Sequence, residues 1–203
     1  LWFLKNKSSV SESVSTVPPL TPPSVRTKML WMGLPAAAAT LLLATTNQIS
    51  LDVAAVPFLW VLPLTVYLVS FIICFSGERW YWRNLWVAGA IVATLVTSEL
   101  LITSITVDIL SKILIYSAAL FAYCMLCHGE LARLKPPPER LASFYLFIAL
   151  GGAIGGFFPA VVAPFIFDSY LELHVGIAAT LLIAAAAISP QELRSIYSKT
   201  SRK

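Results

Sequence analysis

The residues with the most distinctive chemistry in this sequence stand in CMLCHGE, residues 124–130. Cys124 and Cys127 are separated by two residues and followed directly by His128, which is the attachment signature of a c-type haem. On a helix these three side chains share one face, so they could also bind a metal ion with Glu130 as a nearby fourth ligand. The third interpretation is that the cysteines are small residues that pack as hydrophobes.

The composition indicates that most of the chain lies in lipid. Hydrophobic residues make up 58% of the sequence and charged residues 12%, which is about half the charged share of an average soluble domain. The apolar residues form long runs that do not alternate with polar ones at helix or strand period. The net charge of +4 does not indicate nucleic-acid binding, because the basic residues are scattered and form no single patch.

Six runs with few or no charges predict an all-α, polytopic membrane helix bundle, because a bilayer core about 30 Å thick requires about 20 residues of helix. The predicted six-helix domain covers residues 29–191, with spans at 29–51, 53–77, 85–107, 113–129, 141–167 and 173–191. Residues 1–28 are predicted to be a flexible, proline-rich cytoplasmic linker that follows an upstream membrane segment. Residues 192–203 are predicted to be a basic cytoplasmic tail.

The lysines and arginines predict the orientation of these helices. Six crossings place every Lys and Arg on one side of the membrane except Lys112, and cytoplasmic loops carry the excess of positive charge. Both termini are therefore predicted to be cytoplasmic. His128 then lies at the cytoplasmic end of the fourth helix, far from His174, the other histidine. A haem, normally attached on the opposite side and usually bound by a second axial ligand, does not fit this arrangement, and we predict no cofactor and no metal.

Two stretches of the sequence resemble a known family. They are LDVAAVPFLWVLPLTVYLVSFIICF, residues 51–75, and CHGELARLKPPPERLASFYLFIALGGAIGGFFPAVVAPFIF, residues 127–167, which together cover about a third of the chain. In order and spacing they are similar to the membrane region of bacterial integral membrane proteins fused to a spermidine-synthase-like domain. The resemblance implies a multi-pass protein of the bacterial cytoplasmic membrane, followed by a Rossmann-like aminopropyltransferase or methyltransferase domain.

This chain contains no glycine-rich strand-turn-helix fingerprint of such a catalytic domain, so no catalytic residue is assigned to it. The resemblance implies a membrane module that anchors the synthase-like domain and supplies it with substrate. The alternative is a transporter unit for a small cationic solute such as a polyamine. The expected partners are the lipid bilayer, other transmembrane helices of the same or a partner chain and, for the transporter, a cationic small molecule.

Four ionisable residues are candidates for binding or proton transfer. His128 and Glu130 could accept protons or bind a cation, or could simply end a helix beside lipid headgroups and Arg133. Asp52 could contribute to a polar site or cap the second helix. Glu99 lies about 21 Å from the inner surface, where an ionisable group is expected to face the bundle interior or a wet cavity. Asp52 and Glu99 could share a site about a bilayer thickness from the other two.

Four glycines in the fifth helix predict close helix packing. Gly151 with Gly155, and Gly152 with Gly156, form two overlapping pairs of small residues spaced by four, which let another helix backbone approach. Pro159 and Pro164 predict a bend farther along the same helix.

Overall fold

The computed structural model of the protein describes residues 23–53, 59–102, 107–167 and 172–187. All regular structure in these residues is helical, which confirms the predicted all-α fold. The helices are α1 Val25–Val53, α2 Val61–Ser76, α3 Arg83–Ile102, α4 Ile109–Arg133, α5 Leu141–Phe157, α6 Ala163–Ile166 and α7 Glu172–Ala187. Two 3-10 turns, Glu78–Trp80 and Pro138–Arg140, precede α3 and α5. Most of the predicted linker, residues 1–22, and the predicted tail lie outside the described residues.

Four helical stretches are long and apolar enough to cross a membrane: Val25–Leu51, Arg83–Leu101, Ile109–Arg133 and Pro138–Ile166. α2 and α7 have 16 residues each and extend about 24 Å, somewhat less than the bilayer core. The chain is therefore a polytopic membrane helix bundle. α3 is the long helix most open to lipid, because only 11% of its most apolar stretch is buried, against 56% for α1.

Helix caps explain why two helices begin earlier than the runs of uncharged residues predicted. α1 begins four residues before Met29, where the Ser24 hydroxyl accepts a hydrogen bond from the Thr27 N–H at 3.2 Å. α4 begins at Ile109, where the Asp108 carboxylate accepts one from the Ser111 N–H at 3.1 Å. A capping oxygen satisfies an N–H that has no partner within the helix, so the helix can start among polar residues.

α1 and α4 lie at the centre of the bundle. α1 packs against α4, α5 and α7, whereas α4 also packs against α2 and α3. The N-terminal ends of α1, α3 and α5 meet the C-terminal ends of α2, α4 and α7. At this end the Trp31 indole N–H donates to the Leu134 carbonyl at 3.0 Å, and the Arg26 guanidinium donates to the Ala186 carbonyl. α1, α3 and α5 therefore run in the opposite direction to α2, α4 and α7.

The end of the bundle where these helix termini meet carries most of the positive charge, and we call it the basic end. Its described basic residues are Arg26, Lys28, Arg79, Arg83, Arg133, Lys135 and Arg140, whereas Lys112 lies near the N-terminus of α4 at the other end. Within the described residues, the charges are thus divided between the two ends as the sequence predicted.

Two of the four predicted glycines bring the backbones of α1 and α5 together. A Cβ atom on Gly151 would overlap the carbonyl of Met32, and one on Gly155 would overlap that of Ala36. The Thr40 hydroxyl also donates to the Gly155 carbonyl at 2.9 Å. Because the numbers increase together along both helices, α1 and α5 run parallel where they touch.

The other two glycines are not part of this close contact. A Cβ atom on Gly152 would meet nothing within 4 Å, and one on Gly156 would be in ordinary contact with the Leu43 side chain at 3.7 Å. Beyond them, α5 passes into a π turn, Phe158–Val162, that contains Pro159 and leads into α6. A proline has no N–H to donate, so the regular hydrogen-bond pattern of the helix changes at this point.

Candidate functional site

A buried carboxylate at the basic end ties the α2–α3 connection to the end of α4. One oxygen of Glu130 accepts a hydrogen bond from the Arg83 guanidinium at 2.8 Å. The other accepts from the Tyr81 hydroxyl at 2.8 Å and lies 3.6 Å from the Arg133 guanidinium. The exposed fractions of the Glu130, Arg83 and Arg133 side chains are 4%, 15% and 41%. We call these four residues the Glu130 cluster.

The chain around Tyr81 explains how the cluster forms. The carbonyl of Trp82 accepts hydrogen bonds from the N–H groups of Leu85 and Trp86, which starts α3 two residues after Tyr81 and fixes the path of the connection. The Tyr81 ring lies against Gly129, where any Cβ atom would overlap it. Burial, and secondarily the negative charge of Glu130, raise the pKa of the Tyr81 phenol, so the hydroxyl remains a hydrogen-bond donor at neutral pH.

His128 lies two residues before Glu130 but points to a different neighbour. Its side chain is fully buried, and Nδ1 lies 3.0 Å from the hydroxyl oxygen of Ser70 on α2. That hydroxyl donates its proton to the Tyr67 carbonyl at 2.7 Å, and a serine has one proton to donate. The Ser70 oxygen therefore accepts from a protonated Nδ1, which leaves Nε2 as an acceptor.

Two aromatic rings pack against the imidazole of His128. The rings of Tyr67 and Phe71 lie edge-on to the imidazole, with centroids at 4.9 and 5.2 Å. Nε2 has no hydrogen-bond partner among the described residues. The hydrogen bond at the other nitrogen and these two rings fix the orientation of the imidazole, so His128 is held between α2 and α4.

The cysteines of the CMLCHGE stretch are packed among the helices. Cys124 and Cys127 are free and buried, as is Cys74 on α2. The Cys74 sulfur lies 3.7 Å from both the carbonyl oxygen and the sulfur of Met125. Within the part of the chain that the structure describes, no group of three His, Cys, Asp or Glu side chains could hold a metal ion.

A cavity of about 390 Å³ lies beside the Glu130 cluster. It is lined by Cys74, Tyr81, Gly129, Ala132 and Arg133. Its charged lining residue is basic, whereas the neighbouring carboxylate has both oxygens engaged by the chain itself. The cavity is therefore poorly suited to a cation.

The structure does not bring Glu99 into the interior of the bundle. Glu99 is exposed on α3 and borders a surface pocket of about 320 Å³ that is otherwise lined by apolar residues, among them Leu95, Val96 and Leu100. Among the described helices Glu99 does not face the interior, which was one of the two surroundings expected for it, because α3 packs mainly against α4 and leaves most of its surface open. Asp52 is in the last turn of α1, and its side chain lies outside the described residues.

Sequence reasoning identified Glu130 and its neighbour Arg133 but missed the stronger partners. Arg83 and Tyr81 stand almost fifty residues earlier in the chain, in ERWYWRN. Ser70, the partner of His128, lies in a long apolar run. The sequence signal for these partners of Glu130 was indirect. A carboxylate near the end of a membrane helix requires a cation or several hydrogen-bond donors if it is buried.

No known protein family, curated protein or solved structure matches this chain.

Proposed function

We propose that this chain is the membrane module of a spermidine-synthase-like fusion protein of the bacterial cytoplasmic membrane, and that it anchors the synthase-like domain at the cytoplasmic face. The observation that supports this most directly is the packing of the two stretches on which the resemblance depends. They are separated by about fifty residues of sequence, yet they contact each other in the bundle.

The contacts between the two stretches are specific side-chain contacts. Ser70 and Phe71 from the first stretch hold His128 from the second. At the basic end, the ring of Phe75 approaches that of Phe144 with centroids at 6.4 Å. Residues that resemble one family in two separate stretches thus belong to one packed unit, which is expected if they came from one ancestral fold.

The orientation of the proposed anchor follows from the positive-inside rule. The basic end faces the cytoplasm, and the end that carries Lys112 faces outward. A synthase-like domain that follows α7 would then begin on the cytoplasmic side, at the end of the bundle that carries the Glu130 cluster. Because this cluster ties α3 to α4 at that face, it gives the anchor a fixed surface.

The competing proposal, a transporter unit for a small cation, requires acidic groups that are open to the solute. Glu130 already binds Arg83 and Tyr81, so a cation would have to displace an ion pair within the chain. The cavity next to it carries Arg133, which repels a cation. At the Glu130 cluster, the geometry therefore favours the anchor.

Cysteine labelling tests the orientation. Asn47→Cys and Lys199→Cys variants would be treated in intact cells with a maleimide that cannot cross membranes. We expect labelling of the first and protection of the second until the cells are opened. The native thiols give a low background because all three are buried. Equal labelling of both variants in intact cells would contradict the orientation.

Uptake and fractionation of the full-length protein test the function. In proteoliposomes, we expect no more labelled spermidine to enter than enters empty liposomes. In cells, deletion of residues 29–191 together with the predicted upstream membrane segment should release an epitope-tagged synthase-like domain into the soluble fraction. Uptake above the empty control that is lost in Glu99→Gln would refute the anchor and support the transporter. The absence of a synthase-like domain from the full gene product would also refute the anchor.

A further inference from the structure

The α2–α3 connection presents two tryptophans outward at the basic end. Tyr81 points inward to Glu130 and Gly129, and its two neighbours point away from the bundle. Trp80 and Trp82 are accordingly 66% and 69% exposed. The inward contacts of Tyr81 position the backbone on either side of it, so both indoles lie on the outer surface of the basic end.

A pocket of about 350 Å³ lies between these indoles and the first turn of α3. It is lined by Arg79, Trp80, Trp82, Leu85 and Trp86. The Trp86 ring is held edge-on against Phe121 of α4, with centroids at 5.4 Å. One wall of the pocket is therefore fixed to the bundle core, whereas Leu85 and the two outer indoles face the surroundings.

Among the described lining residues of this pocket, the charged one is basic. Arg79 lies exposed at its rim, and the first turn of α3 contains no acidic residue. The aligned peptide dipoles of α3 give its N-terminal end a positive partial charge, which favours an anion. The pocket thus combines a guanidinium, a helix N-terminus and an apolar wall, at the end of a membrane span.

We propose that this pocket binds the headgroup of an anionic phospholipid. The phosphodiester would lie between the Arg79 guanidinium and the start of α3, and the upper part of an acyl chain would lie along Leu85 and the indole faces. Indole rings favour this depth of the bilayer because one side of the ring is apolar and its N–H is polar. The site is separate from the Glu130 cluster and does not depend on the proposed anchoring function.

Fluorescence quenching by brominated lipids tests the site. The chain would be reconstituted in phosphatidylcholine bilayers that contain brominated phosphatidylglycerol or brominated phosphatidylcholine, with bromines near the carbonyl end of the acyl chains. The difference in tryptophan emission between the wild-type protein and a Trp80→Phe/Trp82→Phe variant is the signal from the site. We expect the site to prefer phosphatidylglycerol about fivefold, which corresponds to roughly 1 kcal/mol for one basic side chain at an anionic surface.

Two charge variants separate a specific site from general surface charge. Arg79→Gln should reduce the preference to about one, whereas Lys135→Gln, which removes the same charge from an exposed position at the same end, should leave it unchanged. Equal quenching by the two brominated lipids in the wild-type protein would overturn the proposal. It would also be overturned if Lys135→Gln lowered the preference as much as Arg79→Gln, or if soluble inorganic phosphate bound the pocket and removed the preference.

Discussion

Replacement of Arg83 by glutamine should destabilise the bundle far more than replacement of Arg133, although both arginines approach Glu130. Loss of one partner of a fully buried ion pair costs about 3–5 kcal/mol, because the remaining charge is left without compensation. Glu130 is 4% exposed, but Arg83 is 15% exposed, so part of its charge is already solvated. Tyr81 continues to donate to the carboxylate. We therefore expect Arg83→Gln to lower the free energy of unfolding by about 2 kcal/mol.

The matched control is Arg133→Gln, because it removes the same charge from the same cluster. Its side chain is 41% exposed and lies 3.6 Å from the carboxylate, and an exposed pair of this kind contributes about 0.5 kcal/mol or less. Reversible unfolding in mixed micelles, titrated with a denaturing detergent, would measure both variants. The fraction folded can be followed by the fluorescence of the tryptophans.

A double-mutant cycle with Glu130→Gln identifies the source of the effect. If the ion pair carries the stability, Arg83→Gln should cost little once the carboxylate has been removed, and the coupling energy should reach about 1 kcal/mol or more. Equal losses in Arg83→Gln and Arg133→Gln, or additive effects in the cycle, would show that burial of the pair does not decide the stability of this end.

The remaining predictions concern glycine contacts and alkaline pH. Gly155→Ala should destabilise the bundle by about 1–3 kcal/mol, because its methyl group would overlap the Ala36 carbonyl, whereas the control Gly152→Ala should be neutral or slightly stabilising in the same unfolding assay. Gly129→Ala should displace Tyr81 and cost at least about 1 kcal/mol, the value of the lost hydrogen bond, with a changed near-ultraviolet circular dichroism; an unchanged spectrum and stability would contradict the close packing. Because folding raises the pKa of Tyr81 above its ordinary value of 10.0, its stabilising contribution should be complete below pH 10.0 and decrease as the pH rises further. The free energy of unfolding, measured above pH 10.0, should decrease less in Tyr81→Phe than in the wild-type protein. An identical pH dependence in the two proteins would refute the assignment of this decrease to Tyr81.

The sequence by itself determined that most of the chain lies in lipid and that its fold is all-α. Long uncharged runs can satisfy their backbone in lipid only as helices or closed barrels, and their lengths are those of membrane helices. The distribution of lysine and arginine likewise predicted the basic end, because charged groups are kept out of the bilayer core. Helix starts were less well predicted, since Ser24 and Asp108 cap helices at positions that hydropathy does not identify.

Only the tertiary structure decided which polar groups meet and which glycines pack. Arg83 and Glu130 are 47 residues apart, and their pairing depends on the packing of α3 on α4 and on the space that Gly129 leaves for Tyr81. The two overlapping glycine pairs are equivalent in spacing, yet the α1 backbone comes close only to Gly151 and Gly155 among these four. Spacing along a helix defines a face, but the direction from which a neighbour approaches depends on all the helices of the bundle, and that information is not local in the sequence.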